Sequence, residues 1–126
     1  MKAWLLSLCG LSAFLIAGYL VQSSLNQTAN RLDRQLAEVE EKLAAGDWDQ
    51  VSSGLKKVQN TWDQTKTFWA VVTNHKEMDL IEEALIKTIK ASSCKSYADA
   101  AINLGALRQF IKHIPERERF SMVNIF

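Results

Sequence analysis

Proline and glycine are scarce in this chain, with one and five residues respectively. So few breakers exclude a loop-rich fold and argue for long helices joined by few turns. Cysteine is nearly absent too: Cys9 and Cys94 are the whole complement, and they lie far apart. Cys9 falls inside an apolar run and Cys94 far along the polar part, so the two are not expected to pair. Cys94 reads as a free thiol near a turn, with an intermolecular disulfide as the alternative. Charge is missing altogether between Trp4 and Val21. Excess charge of either sign is missing elsewhere: of the 15 Lys and Arg only Lys2 precedes the run, which leaves 14 basic against 14 acidic residues after it. A balanced chain has no long-range field to draw in nucleic acid, and none is expected as a partner. No Gly-x-Ser-x-Gly elbow, Ser-x-x-Lys motif or glycine-rich phosphate loop is present. The expectation is a protein that is not an enzyme and carries no cofactor.

What is there begins with the uncharged run itself. Trp4 to Val21 spans 18 residues. At 1.5 Å per residue it covers about 27 Å, close to the hydrocarbon thickness of a bilayer. Trp4 and Tyr19 sit near its ends, where amphipathic rings prefer the headgroup level. A lone segment in lipid must be helical, because its backbone groups find no water. The rival reading is a cleaved signal peptide, with Val21 and Ser23 as the small pair before the cut. The run is longer than the roughly 7–15 residues of a signal core, which favours a retained anchor. A lipoprotein is excluded, since Cys9 follows Leu8 and lies within the run. Residues 1–22 are therefore expected to form a signal-anchor helix and residues 23–126 a helical extracytoplasmic domain at the cytoplasmic membrane. The short tail before the run, with Lys2, inserts most simply with its amino terminus inside, although Arg31 and Arg34 follow the run closely.

A composition of 48% hydrophobic and 23% charged residues belongs to a globular chain. After the run, Leu25, Ala29, Leu32, Leu36, Val39 and Leu43 recur at spacings of four and three, one stripe on one helix. No Gly or Pro falls between Gly18 and Gly46, so this helix is free to continue out of the apolar run. Ala45 and Gly46 stop it, Gly46 as a left-handed cap. Asp47 and Gln50 then form a capping box for a second helix. Its stripe is Trp48, Val51, Leu55, Val58, Trp62, Thr65, Trp69 and Val72, weakened slightly by Gly54. Asn74 and Glu77 form another box, before a helix carrying Met78, Ile81, Leu85 and Ile89. Ala91 to Lys95 reads as a turn. Ser96 and Asp99 cap a fourth helix with Tyr97, Ala100, Leu104, Leu107, Ile111 and Ile114 inward. Pro115 ends that helix or starts a last turn through Arg119. The apolar residues Phe120, Met122, Val123, Ile125 and Phe126 are expected to dock on the bundle.

A shift of 49 residues superposes Trp48 on Tyr97, Val51 on Ala100, Leu55 on Leu104, Val58 on Leu107, Trp62 on Ile111, Leu32 on Ile81 and Leu36 on Leu85. Two helix-turn-helix units follow. The expected fold is all-α: a transmembrane helix, then a four-helix bundle or a tetratricopeptide-like pair of helical hairpins. The tetratricopeptide consensus itself is absent.

Gly46-Asp47-Trp48, Trp62, Trp69, the segment from His75 to Asp79, the segment from Ile111 to Glu116, and Asn124-Ile125-Phe126 together resemble one family. It is domain of unknown function 4363, small Firmicute proteins with an N-terminal membrane helix and a helical domain. The resemblance covers nearly the whole chain. It implies an extracytoplasmic domain and assigns no activity or catalytic residue.

Two residue groups are candidates for chemistry. His75, Asp79 and Glu82 share a helix face, and His113 with Glu116 would meet them if the third and fourth helices pack antiparallel. That is a carboxylate-imidazole set suited to a metal. The plainer reading is that both histidines are helix-end residues. Trp48, Phe68, Trp69, His75 and Phe126 are the candidates for binding another membrane or envelope protein, Trp and Phe supplying anchor area. Here the plainer reading is that the tryptophans are core. Phe68 and Trp69 are neighbours and cannot both point inward, so one of them is expected to be exposed. Self-association is a further reading, but Gly10, Phe14 and Gly18 do not make an unbroken small face.

Overall fold

The computed structural model describes the backbone of residues 2–125 and the side chains through Arg117. Among the described residues there are four helices: α1 (Lys2–Ala44), α2 (Trp48–Val72), α3 (His75–Ser93) and α4 (Tyr97–Ile125). The fold is all-α. The α1 helix is one continuous element of 43 residues, about 65 Å long at 1.5 Å per residue. Nothing in its sequence interrupts it, so the apolar run and the first bundle helix share one axis.

Pairings between side chains fix the topology. Arg108 reaches Asp33 and Glu40, while Gln22 reaches Pro115, so α4 runs antiparallel to α1. Trp62 and Lys66 meet Glu82 across α2 and α3, and Glu77 meets Arg117 across α3 and α4. Each helix packs on its two neighbours, including α1 on α4, and among the described residues no close approach joins α1 to α3 or α2 to α4. The molecule is thus an up-down-up-down four-helix bundle with a closed ring of contacts. A pair of hairpins stacked as a solenoid would leave α1 and α4 apart.

The core is the set of stripes. Leu25, Ala29, Leu32, Leu36, Val39 and Leu43 of α1 are buried against Val51, Leu55, Val58, Trp62 and Trp69 of α2. Met78, Ile81, Ala84 and Leu85 of α3 and Ala100, Leu104, Leu107, Ile111 and Ile114 of α4 complete it. Except for the cap positions Trp48 and Tyr97, every pair superposed by the 49-residue shift is buried in both hairpins.

The shift also holds in the turns. Asp47 N–H donates to the Lys42 carbonyl and Gly46 N–H to that of Leu43; Ser96 N–H donates to Ala91 and Lys95 N–H to Ser92. These bonds close each hairpin with the same helix-ending motif, the long bond satisfying a carbonyl that the helix leaves open. The motif needs one left-handed residue, and φ is 70° at Gly46 and 54° at Lys95. Lysine carries a Cβ into that region at a cost of about 1 kcal/mol. Lys95→Gly is therefore expected to raise stability by about 1 kcal/mol, read as a higher melting temperature.

Gly54 has a role beyond weakening its helix. A Cβ there would lie 2.6 Å from Cγ2 of Val39, itself buried. Glycine lets α1 and α2 approach closely. Gly54→Ala gains helix propensity but overpacks this contact, so a net loss of about 1–2 kcal/mol in a denaturant titration is expected.

Two local expectations need correction. Pro115 does not end α4, which continues to Ile125. Proline forfeits only its own N–H bond to Ile111, and the carbonyl of Pro115 accepts a bond from Gln22 Nε2 at 3.0 Å. Glu77 does not complete a capping box. The Asn74 side chain accepts from Lys76 N–H at 2.9 Å, while the Glu77 carboxylate is engaged by Arg117. The expected docking of Phe120, Met122, Val123, Ile125 and Phe126 lies outside the described side chains.

Candidate functional site

The sequence points to three kinds of surface: an apolar shaft, a partner-binding face and a metal set. The shaft is the part of α1 before the bundle. Trp4, Leu5, Leu6, Leu8, Leu11, Phe14, Leu15, Ile16, Tyr19 and Leu20 are exposed, and no residue of the shaft is buried. A helix that is apolar all round and covered by nothing is long enough to cross a membrane. The bundle core begins only at Leu25, where the stripe replaces the all-round pattern.

The partner-binding candidates separate by environment. Trp69 is 0% exposed and its ring meets Trp62 edge to face, with centroids 5.6 Å apart. It is a core residue, which corrects the expectation that it offers a contact surface. Trp69 points into the core, and the residue before it, about 100° round the helix, must therefore point elsewhere. Phe68 does so, at 40% exposure. Trp48 is half-buried and packs on the edge of the core. His75 is exposed at the start of α3. Phe126 lies outside the described residues.

The metal set does not assemble. His113 Nδ1 is 3.5 Å from Glu116 Oε2, a helix-internal pair open to solvent. Glu82 is occupied elsewhere: Oε1 accepts from Trp62 Nε1 at 3.4 Å and lies 3.6 Å from Lys66 Nζ. The hydrogen bond and charge of Asp63, with the charge of Glu82, hold the Lys66 ammonium above its ordinary pKa. Asp79 is exposed. Among the described residues, no group of three His, Cys, Asp or Glu side chains is gathered to hold an ion. α3 and α4 are antiparallel as the metal reading required, yet α3 aims Glu82 at α2 rather than at α4.

Sequence reasoning missed the charged seam between α1 and α4. Arg108 donates from Nε to Asp33 Oδ1 at 2.9 Å and from a terminal nitrogen to Glu40. The Asp33 hydrogen bond raises the Arg108 pKa against the opposing effect of burial, and Glu40 adds to the rise. Asp33 and Glu40 are seven residues apart, two turns on one face. That spacing was the available signal for a shared cation. The seam fixes register between α1 and α4, and Asp33 also borders an open surface hollow lined by Gln27, Asn30, Arg31 and Arg34.

These features amount to a bundle of four helices on an apolar shaft, and a family model with the description Domain of unknown function (DUF4363) matches residues 19–125. The chain belongs to this family. The DUF4363 match spans the whole bundle and starts at Tyr19, where the shaft ends. No curated protein and no solved structure matches the chain. The DUF4363 resemblance read from the short motifs is thereby shown. Of those motifs, Gly46-Asp47-Trp48 is the first hairpin turn, and Trp62 with Trp69 is the aromatic pair of the core.

Proposed function

We propose that the protein is a single-pass membrane protein whose helical bundle stands at the outer face of the cytoplasmic membrane and binds another membrane or envelope protein. The observation that carries this reading is the continuity of α1. One helix presents an uncovered apolar surface over its first twenty or so residues and then a core stripe, without a break between them. In water the shaft would expose far more contiguous apolar surface than soluble proteins tolerate, and in lipid it is satisfied. A rigid connection holds the bundle at a fixed height and orientation, which suits presentation of a surface better than diffusion to a substrate. The bundle interior is filled by aliphatic and aromatic side chains, and the grooves on its surface are open to solvent. One such groove between α3 and α4 is lined by Leu80, Ala84, Lys87, Asn103 and Phe110. That architecture favours binding over catalysis.

The residue chosen for a test is Phe68, whose ring is exposed one position before the core Trp69. A photocrosslinking residue at position 68 in full-length protein, expressed in its native membrane, is expected to give one dominant adduct with another membrane or envelope protein. The same probe at Ile102, an exposed position on α4, is expected to give none. Phe68→Ala is expected to leave the melting temperature within about 2 °C, because a half-exposed ring contributes little to the core. Equal labelling from both positions would contradict the reading.

A further inference from the structure

The helix lengths set the bundle at a definite height on its shaft. The turn from Ala44 to Trp48 starts α2, whose 25 residues run back along α1 and bring Val72 level with Leu20. The bond from Gln22 to Pro115 sets α4 to the same level, and the pair Glu77–Arg117 sets the start of α3 there. The end of α2, the start of α3 and the middle of α4 thus share one plane with the end of the apolar shaft. The backbone of α4 continues through that plane to Ile125.

The α2–α3 turn in this plane has the composition of an interfacial segment. No acidic residue occurs from Lys66 through Lys76. Val71 is 82% exposed, the most exposed large apolar side chain of the molecule among the described residues. Its neighbours in the turn, Thr73, Asn74 and His75, are polar and uncharged or weakly basic, and Lys76 is exposed beside them. Short apolar insertions flanked by lysines suit the boundary between headgroups and acyl chains, where a lysine extends its stem and keeps its charge in water.

Resting on the membrane-anchor reading, we infer that the α2–α3 turn is a second membrane contact, with Val71 entering the headgroup–acyl boundary of the leaflet from which α1 emerges. The occupant of this surface is lipid. Two contacts, the shaft and the turn, then fix the tilt and rotation of the bundle. Phe68 sits one helical turn higher, about 4.5 Å from the boundary, and is left for a protein partner at the membrane surface.

The test uses full-length protein with Cys9 and Cys94 replaced by serine, reconstituted in vesicles of phosphatidylcholine with phosphatidylglycerol. A single cysteine at position 11, 71 or 102 carries an environment-sensitive fluorophore, and brominated lipids serve as quencher. Leu11→Cys reports the shaft and Ile102→Cys, at a position 69% exposed on the bundle, reports water. The expected result is strong quenching at 11, at least half as much at 71, and none at 102. Quenching at 71 is expected to be unchanged when the anionic lipid is omitted, because apolar insertion and not charge makes the contact. Quenching at 11 with none at 71 would overturn this inference and leave the anchor intact. A label at 71 shielded from both lipid and water would show a protein covering the turn, and would overturn it equally. No quenching at 11 would overturn the anchor reading and this inference with it.

Discussion

Trp69→Ala is expected to lower the stability of the bundle by about 3–5 kcal/mol, the range for removing a buried large aromatic side chain. Trp69 is fully buried in the core and meets Trp62 edge to face. A domain of this size has only about 5–15 kcal/mol in total, so the variant is expected to melt many degrees lower or not to fold. The indole Nε1 of Trp69 is buried without a hydrogen-bond partner among the described groups. Trp69→Phe keeps most of the ring area and removes that unpaired donor. It is therefore expected to cost no more than about 2 kcal/mol. Thermal melts of the two variants followed by circular dichroism check this. A Trp69→Ala variant with an unchanged melt would contradict the placement of Trp69 in the core.

The second large effect concerns the shaft. Leu11→Arg with Leu15→Arg is expected to move the protein from the membrane to the soluble fraction. Each arginine at a helix centre costs about 2.5–3.5 kcal/mol on insertion, so the pair opposes it by about 6 kcal/mol. At 1.4 kcal/mol per factor of ten, that is roughly a ten-thousandfold shift in partition. Both positions are exposed and precede the first core residue, Leu25, by ten residues or more. The bundle's melting temperature should therefore be unaffected. Fractionation with alkaline extraction reads the first effect and calorimetry of the soluble form the second.

Most of the fold was legible because its stripes are regular. The alternation of three and four from Leu25 to Leu43 and from Trp48 to Val72 specified the buried faces of α1 and α2. Gly46 and Asp47 marked the first turn in the sequence. The second turn was legible from its polar run, Ala91 to Lys95, and from Ser96 with Asp99 after it, but its left-handed residue was not, because Lys95 occupies the position that glycine holds in the first. Pro115 misled for a local reason: proline is a strong breaker by itself, while the helix on its N-terminal side is held in place by Ile111 and Ile114, both buried in the core. The functional surfaces were less legible. Exposure depends on rotation of each helix about its axis, and adjacent residues such as Phe68 and Trp69 look alike until that rotation is fixed. The metal set failed for the same reason, since sequence spacing placed Glu82 on a face with His75 but not which neighbouring helix the face meets. Trp62 and Lys66 of α2 take that carboxylate instead.

The two native cysteines allow the most direct test of the central claim, that α1 crosses the membrane and holds the bundle outside. Cys9 lies within the shaft and Cys94 at the end of α3, and both are free thiols. A membrane-impermeant maleimide applied to intact protoplasts is predicted to label Cys94 rapidly, and Cys9 only after detergent is added. Labelling of Cys9 as fast as Cys94 without detergent, or of Cys94 only after lysis, would contradict it.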